Sequence, residues 1–219
     1  MKTIQEAVES TIRKTPYIEE ALNEKLINVS SLARVILPEV SQLLKKDIKI
    51  GAVMMAINRL SPEKELRIRK NVKRLGLSLG DFVVRSKLCD FTFKNTPTLL
   101  KKIAEILTKA GDSADNFLTV SQGVFETNIV TSTNIEPLVA DIFKNETLIN
   151  NISDLASITV KLPKYNLEQS GIYYFILKQL AWADIAIVEV ISTTNEMTIV
   201  VKEYDINESF NILIDLKLS

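Results

Sequence analysis

Apolar positions along the chain fall into two regimes. Up to about residue 60 they recur at helical spacing. Ile4, Val8 and Ile12 stand at i, i+4 and i+8, one stripe of a helix. Thr3 with Glu6 three residues on is a capping box that opens it. Pro16 suits the first turn of a second helix, with Ile18, Ala21 and Leu22 on its stripe. Asn28 supplies a cap for a third helix over residues 31–44, and Pro38 predicts a kink or split near Leu37. A fourth helix, about residues 49–60, carries Ile50, Val53, Met54, Ile57 and Leu60 on one face, with Met54 and Met55 reading as core. The segment 67–74 alternates only weakly and reads as a short strand or a fraying helix.

Beyond Gly76 and Gly80 the character changes, and a domain boundary is expected there. Residues 91–93 and 157–160 alternate as strands. Leu99, Leu100, Ile103, Ile106, Leu107 and Ala110 form a helix pattern. Two strands, 117–121 and 124–131, join at a tight turn at Gln122-Gly123. A short helix follows over 135–143, with Asn134 as cap and Pro137 in its first turn. The order then recurs: an apolar helix over 170–183, a hairpin of 185–192 and 197–202, and a helix opened by Asp205 and Glu208. Leu107 and Ala110 match Leu180 and Ala183 at a shift of 73; Glu126, Ile129 and Val130 match Glu196, Ile199 and Val200 at a shift of 70. This predicts an internal duplication of a β-α-β-β-α unit. Such a unit cannot bury its sheet alone, and two helices on one face of an antiparallel sheet, the ferredoxin-like arrangement, is the economical solution. The expected class is α+β: a helical domain (1–76) followed by two ferredoxin-like βαββαβ units (83–152 and 153–219).

Charge sharpens that division. The 27 basic and 27 acidic residues cancel over the whole chain. Residues 1–75 nevertheless hold 15 Lys/Arg against 9 Asp/Glu, a net of +6, which leaves −6 on the remainder. Segments of opposite charge suggest different tasks. The 219 residues contain no histidine, which removes the commonest general base and metal ligand. Neither phosphate-binding glycine motif occurs, so neither cofactor nor metal is expected. The lone Cys89 permits no intrachain disulfide and reads as an inert small hydrophobe. No apolar stretch is long enough for a membrane span, and no basic-then-apolar leader pattern opens the chain. The expectation is a cytoplasmic, non-enzymatic protein.

The second repeat resembles the ACT domain in the form found at the regulatory end of aspartate kinases. The residues that carry the resemblance are Ser170-Gly171-Ile172 opening a helix, Leu180-Ala181 near its end, and the strand Ile185-Ala186-Ile187-Val188-Glu189-Val190. The apolar strand Thr198-Ile199-Val200-Val201 follows, then Asp205 and a short helix. It covers about residues 157–216 well and 87–150 more weakly. Nothing in the chain resembles the catalytic motif of those kinases. The resemblance implies sensing of an amino acid or related small metabolite at the loop between the first strand and first helix. The implied ligand-binding residues are Asn166, Gln169, Ser170, Gly171 and Ile172 in the second repeat and Asn95, Thr96, Pro97 and Thr98 in the first. The usual acidic residue is here Asn95, the usual glycine Thr98, and the family's Ile-Asn is Ile185-Ala186. The chemistry is a helix N-terminus offering free N–H groups to a carboxylate.

Residues 26–60 resemble, more loosely, a helix-turn-helix module, with residues 50–60 as recognition helix. Arg59, Lys64, Arg67, Arg69, Lys70, Lys73 and Arg74 would then meet phosphates. The competing reading is a solvated basic face, and a recognition helix offering only Asn58 and Arg59 has little with which to read base edges. Tyr173, Tyr174 and Trp182 read as core or interface anchors and Glu189 as solvent-facing. The chain is expected to self-associate as a homodimer. A ligand at the paired domains would change the affinity of the basic domain for its target, DNA in a transcriptional regulator. Alternatively the protein is a stand-alone subunit docking on a biosynthetic enzyme, or the pair serves only oligomerisation.

Overall fold

The computed structural model describes residues 3–23, 25–60, 79–110, 116–168 and 170–218. They belong to two compact units, Met1–Asn71 and Val72–Ser219.

Among the described residues of the first unit are four helices: α1 (Ile4–Arg13), α2 (Pro16–Asn23), α3 (Val29–Leu44) and α4 (Ile50–Asn58). The capping box forms as the sequence requires, with the Glu6 amide donating to Thr3 Oγ1 and the Thr3 amide to the Glu6 carboxylate. Asn28 caps α3 by accepting from the Ser31 amide at 3.0 Å. α3 continues through Pro38 as one helix instead of splitting there. Ala7, Val8 and Ile12 of α1, Leu32, Ala33, Ile36 and Val40 of α3, and Val53, Ala56 and Ile57 of α4 form the core. Met54 packs against it, but Met55 is 57% exposed. The stripe places Met55 on the far side of α4 from Val53 and Ile57, so the core expectation fails for this residue.

The second unit runs β1 (Phe82–Lys94), α5 (Leu99–Ala110), β2 (Leu118–Gln122), β3 (Glu126–Ser132) and α6 (Glu136–Ile142). It then repeats: β4 (Leu148–Lys161), α7 (Ile172–Trp182), β5 (Ile187–Ser192), β6 (Glu196–Lys202) and α8 (Ile206–Leu218). A short 3-10 turn precedes α6 (Thr133–Ile135) and α8 (Glu203–Asp205). Ser132 stands at the N-cap position of the first of these without a side-chain cap bond; Asn134 donates to Asn116 Oδ1. All six strands are antiparallel in one sheet of order β2-β3-β1-β4-β6-β5.

β1 and β4 are much longer than residues 91–93 and 157–160, and their length builds the architecture. They pair with each other from Phe82↔Val160 to Phe93↔Leu148. The first half of β4 thus completes the sheet of the first repeat, and the first half of β1 completes that of the second. β4 runs unbroken through residues 152 and 153. Helix α8 packs on that borrowed half-strand: Phe210 meets Phe82 edge-on at 6.2 Å, and Lys217 donates to Gly80 O at 2.9 Å. At Gly80 a Cβ would stand 2.8 Å from Lys161 Cβ, so only glycine permits this close strand entry.

Each strand is interrupted at the same place. Lys87 and Asp154 adopt φ of 57° and 56°, each at the same distance from its strand's end, and the β1–β4 register shifts beside them. These are β-bulges, which add twist and bend a sheet. From Leu88 and Leu155 onward, the burial pattern is identical along the two strands, with four consecutive buried residues in each. One sheet face carries two helix-covered cores. Phe91, Phe93 and Ile129 pack under α5 and α6, and Ile158, Val160, Met197 and Ile199 under α7 and α8. Within the matched helices the register differs by one position from the expected shift: Leu107 is 46% exposed, whereas Leu180 is fully buried and Ile106 takes the core place.

The opposite face has its own core of Leu88, Val130, Leu155 and Val200, joined by Phe117, Ile152, Val188 and Ile191.

Candidate functional site

Both repeats place a loop between first strand and first helix, and both fasten it to their own hairpin. In the first repeat the Asn95 side chain donates to Gly123 O at 2.9 Å, and its Oδ1 accepts from Thr127 at 2.6 Å. In the second, Asn166 Nδ2 donates to Thr194 O. The backbone repeats the clamp: Asn95 N donates to Phe125 O at 3.0 Å and Leu162 N to Asn195 O at 2.7 Å. Asn95 and Asn166 are thus positioning residues for hairpin turns, their amides already engaged.

The loops then diverge. In the first, Thr96 and Thr98 donate to the two oxygens of Glu146 at 2.6 and 2.7 Å, with their hydroxyls 3.1 Å apart. These bonds hold the Glu146 carboxyl below its ordinary range, Thr96 contributing most and Lys102 assisting by its charge. Pro97 is exposed between them. In the second, longer loop, a 3-10 turn (Asn166–Glu168) leads to Ser170, which is exposed, and to Gly171 at φ 102° as N-cap of α7. A side chain there would be strained. No side chain caps α7, and its first turn holds no acidic residue. Ile172 is buried in the core below, so of the named residues Ser170 and Gly171 remain as the open surface. Gln169 lies outside the described residues.

The sheet face of the Leu88, Val130, Leu155 and Val200 core, the inner face, holds carboxylates that the sequence did not single out together. Asp90 is 3% exposed; Asn128 donates to it at 2.6 Å. Burial raises its pKa against that hydrogen bond. Glu189, read from its apolar neighbours as solvent-facing, is half-buried there, and burial first, then Asp90 and Glu126, raises its pKa. Among the described residues no group of side chains is placed to hold a metal ion. Cys89 is buried and its thiol is pushed up to about 12, by burial first and then by Glu136 and Asp90, which fits an inert core residue. Trp182 is 80% exposed and Tyr173 and Tyr174 are exposed, so none of the three is a core anchor of this chain. Tyr173 meets Ser192 at 2.6 Å, and Lys178 lies over the Tyr174 ring.

In the first unit, Arg59 is exposed at the C-terminus of α4. Lys64, Arg67, Arg69, Lys70, Lys73 and Arg74 lie outside the described residues, as does the conformation of 67–74. The outward positions of α4 are Gly51, Met55 and Asn58. No helix among the described residues is long and apolar enough to cross a membrane.

Comparison with solved structures bears on the second unit. The chain is similar to the aspartokinase alpha and beta subunits (TM-score 0.52, 10% identity), covering 64% of this chain and 99% of that one. It is similar to Clostridium acetobutylicum aspartate kinase (TM-score 0.52, 12% identity) over 64% of this chain and 35% of that enzyme. Over that 64% of its length the chain shares the fold of these proteins. A third likeness, to E. coli aspartokinase III in complex with aspartate and ADP, has a TM-score of 0.51 at 11% identity, over 65% and 34% of the two chains. The chain thus spans about a third of the length of the whole aspartate kinases it matches. No family model and no curated protein matches the sequence.

Proposed function

We propose that this protein is a non-enzymatic regulator that senses an amino acid or related carboxylate metabolite through its ACT-like pair. The observation that carries the reading is the N-terminus of α7, where Gly171 opens an apolar helix without a side-chain cap, on a fold shared with aspartate kinase regulatory regions. Free N–H groups and the positive end of the helix dipole suit a carboxylate. Ser170 and Gly171 are the contacts within reach, while Asn166 shapes the loop from beneath. The helical unit would deliver the response to a target. Met55 and Gly51 on the outer side of α4 suit a protein surface, such as that of a biosynthetic enzyme, better than base edges.

A thermal-shift screen of the twenty amino acids tests the proposal. At 100 times Kd a ligand adds about 2.7 kcal/mol, or roughly 5–10 °C at this size. A shift confined to one or a few amino acids, lost in Gly171→Val, is the expected result. No shift with any of them sinks amino-acid sensing.

A further inference from the structure

The two loops differ in one respect that duplication alone does not explain. Helix α5 begins without an acidic residue in its first turn and carries Lys101 and Lys102 there instead. A helix start so arranged lacks the negative charge that its dipole favours. Glu146, from the connection between α6 and β4, supplies that charge. Its carboxylate takes both threonine hydroxyls, one on each oxygen, as a bound carboxylate would. The backbone carries the same connection to the same place, since Lys94 N donates to Thr147 O at 2.9 Å. In the second repeat the start of α7 has no side-chain cap.

We infer that the Thr96–Thr98 turn is a carboxylate subsite held shut by the chain's own Glu146. The first repeat is therefore closed to solute carboxylates at neutral pH, and the protein binds one ligand per chain, at the second repeat. The ligand count rests on the sensing function proposed above; the closure does not.

Acetate tests the closure. Glu146→Ala should lose about 2–4 °C of Tm, and sodium acetate should restore it saturably against a chloride series of equal ionic strength. Wild type should show no such gain, and Glu146→Ala/Thr96→Val/Thr98→Val none either. An acetate response equal in Glu146→Ala and wild type overturns the closure. If Glu146→Ala fails to fold, carboxyl NMR of the wild type decides. Glu146 should titrate below an ordinary glutamate and move up in Thr96→Val/Thr98→Val; an ordinary value that does not move overturns the inference. A silent amino-acid screen beside a positive acetate result removes sensing and leaves the closure standing; the converse removes the closure alone.

Discussion

The two repeats share a backbone plan and differ in what they do with polar groups. On the inner sheet face the first repeat sets Asp90 against Asn128, while the second has Ser157 at the matching strand position, buried with its hydroxyl unpaired, beside Thr159 and Thr198 bonded to each other at 2.7 Å. At the loop the first repeat ties itself down with Glu146, and the second leaves α7 uncapped. Apolar positions, by contrast, are nearly interchangeable: Leu88 with Leu155, Val130 with Val200. The difference teaches that the duplicated core is kept for packing, and that the polar substitutions carry the specialisation.

The symmetric part of this comparison is broken most strongly at the inner core. Leu88→Ala and Leu155→Ala should each cost about 2–5 kcal/mol. Their costs in urea unfolding should agree within about 1 kcal/mol. A large inequality would show that one half-sheet dominates the junction.

The hairpin clamps should be unequal. Asn95→Ala removes the partner of Thr127, which is fully buried, and should cost about 1–3 kcal/mol. Asn166→Ala loses a bond to a turn carbonyl and should cost about 1 kcal/mol. Equal losses would mean that Thr127 finds another acceptor.

How far these features were legible follows from their range along the chain. Helices, caps and hairpins are set by neighbours a few residues apart, so Thr3 with Glu6, Asn28 and the turn at Gly123 could be read directly. The duplication was readable because Ile129 and Ile199 each pack under their own repeat's helices while Val130 and Val200 face the opposite side of the sheet. The full lengths of β1 and β4 were hidden by the polar stretches Arg85-Ser86-Lys87 and Asn150-Asn151, where register shifts replace simple alternation. Glu146 gave no local signal, since its partners lie some fifty residues earlier. Asn95 and Asn166 were picked out as polar loop residues, and only the hairpins opposite show that they act as clamps.

The inner acids offer a pH test. Asp90 has a raised folded pKa, so its neutral form favours the fold. Its contribution is fully present below its unfolded value of about 4 and is lost as pH rises through the folded value. Glu146, with a lowered pKa, contributes above its unfolded value and loses that contribution as pH falls through the folded one. Asp90→Asn should therefore gain stability relative to wild type on going from pH 4 to 7, and lower the pKa of Glu189. A pH-independent difference between the two proteins would refute the assignment.

The smallest effect expected is at the bulges. Lysine costs about 1–2 kcal/mol in the left-handed region, while aspartate tolerates it better. Lys87→Gly should gain up to about 1 kcal/mol and Asp154→Gly less, both by thermal denaturation. A loss at Lys87 would show that its side chain holds the bend.

The exchange of half-strands between β1 and β4 bears on how the chain reaches this state. Each repeat's sheet stays incomplete until a partner from the far side of the other repeat arrives, so the closing pairs are among the most distant in the unit. Such topologies close loops before contacts reward them and fold slowly. Neither repeat completes its sheet without the other's strand. Residues 72–219 are expected to fold in one late, concerted step, and a chain still emerging from the ribosome would expose the unpaired edge of β1 until β4 had been made.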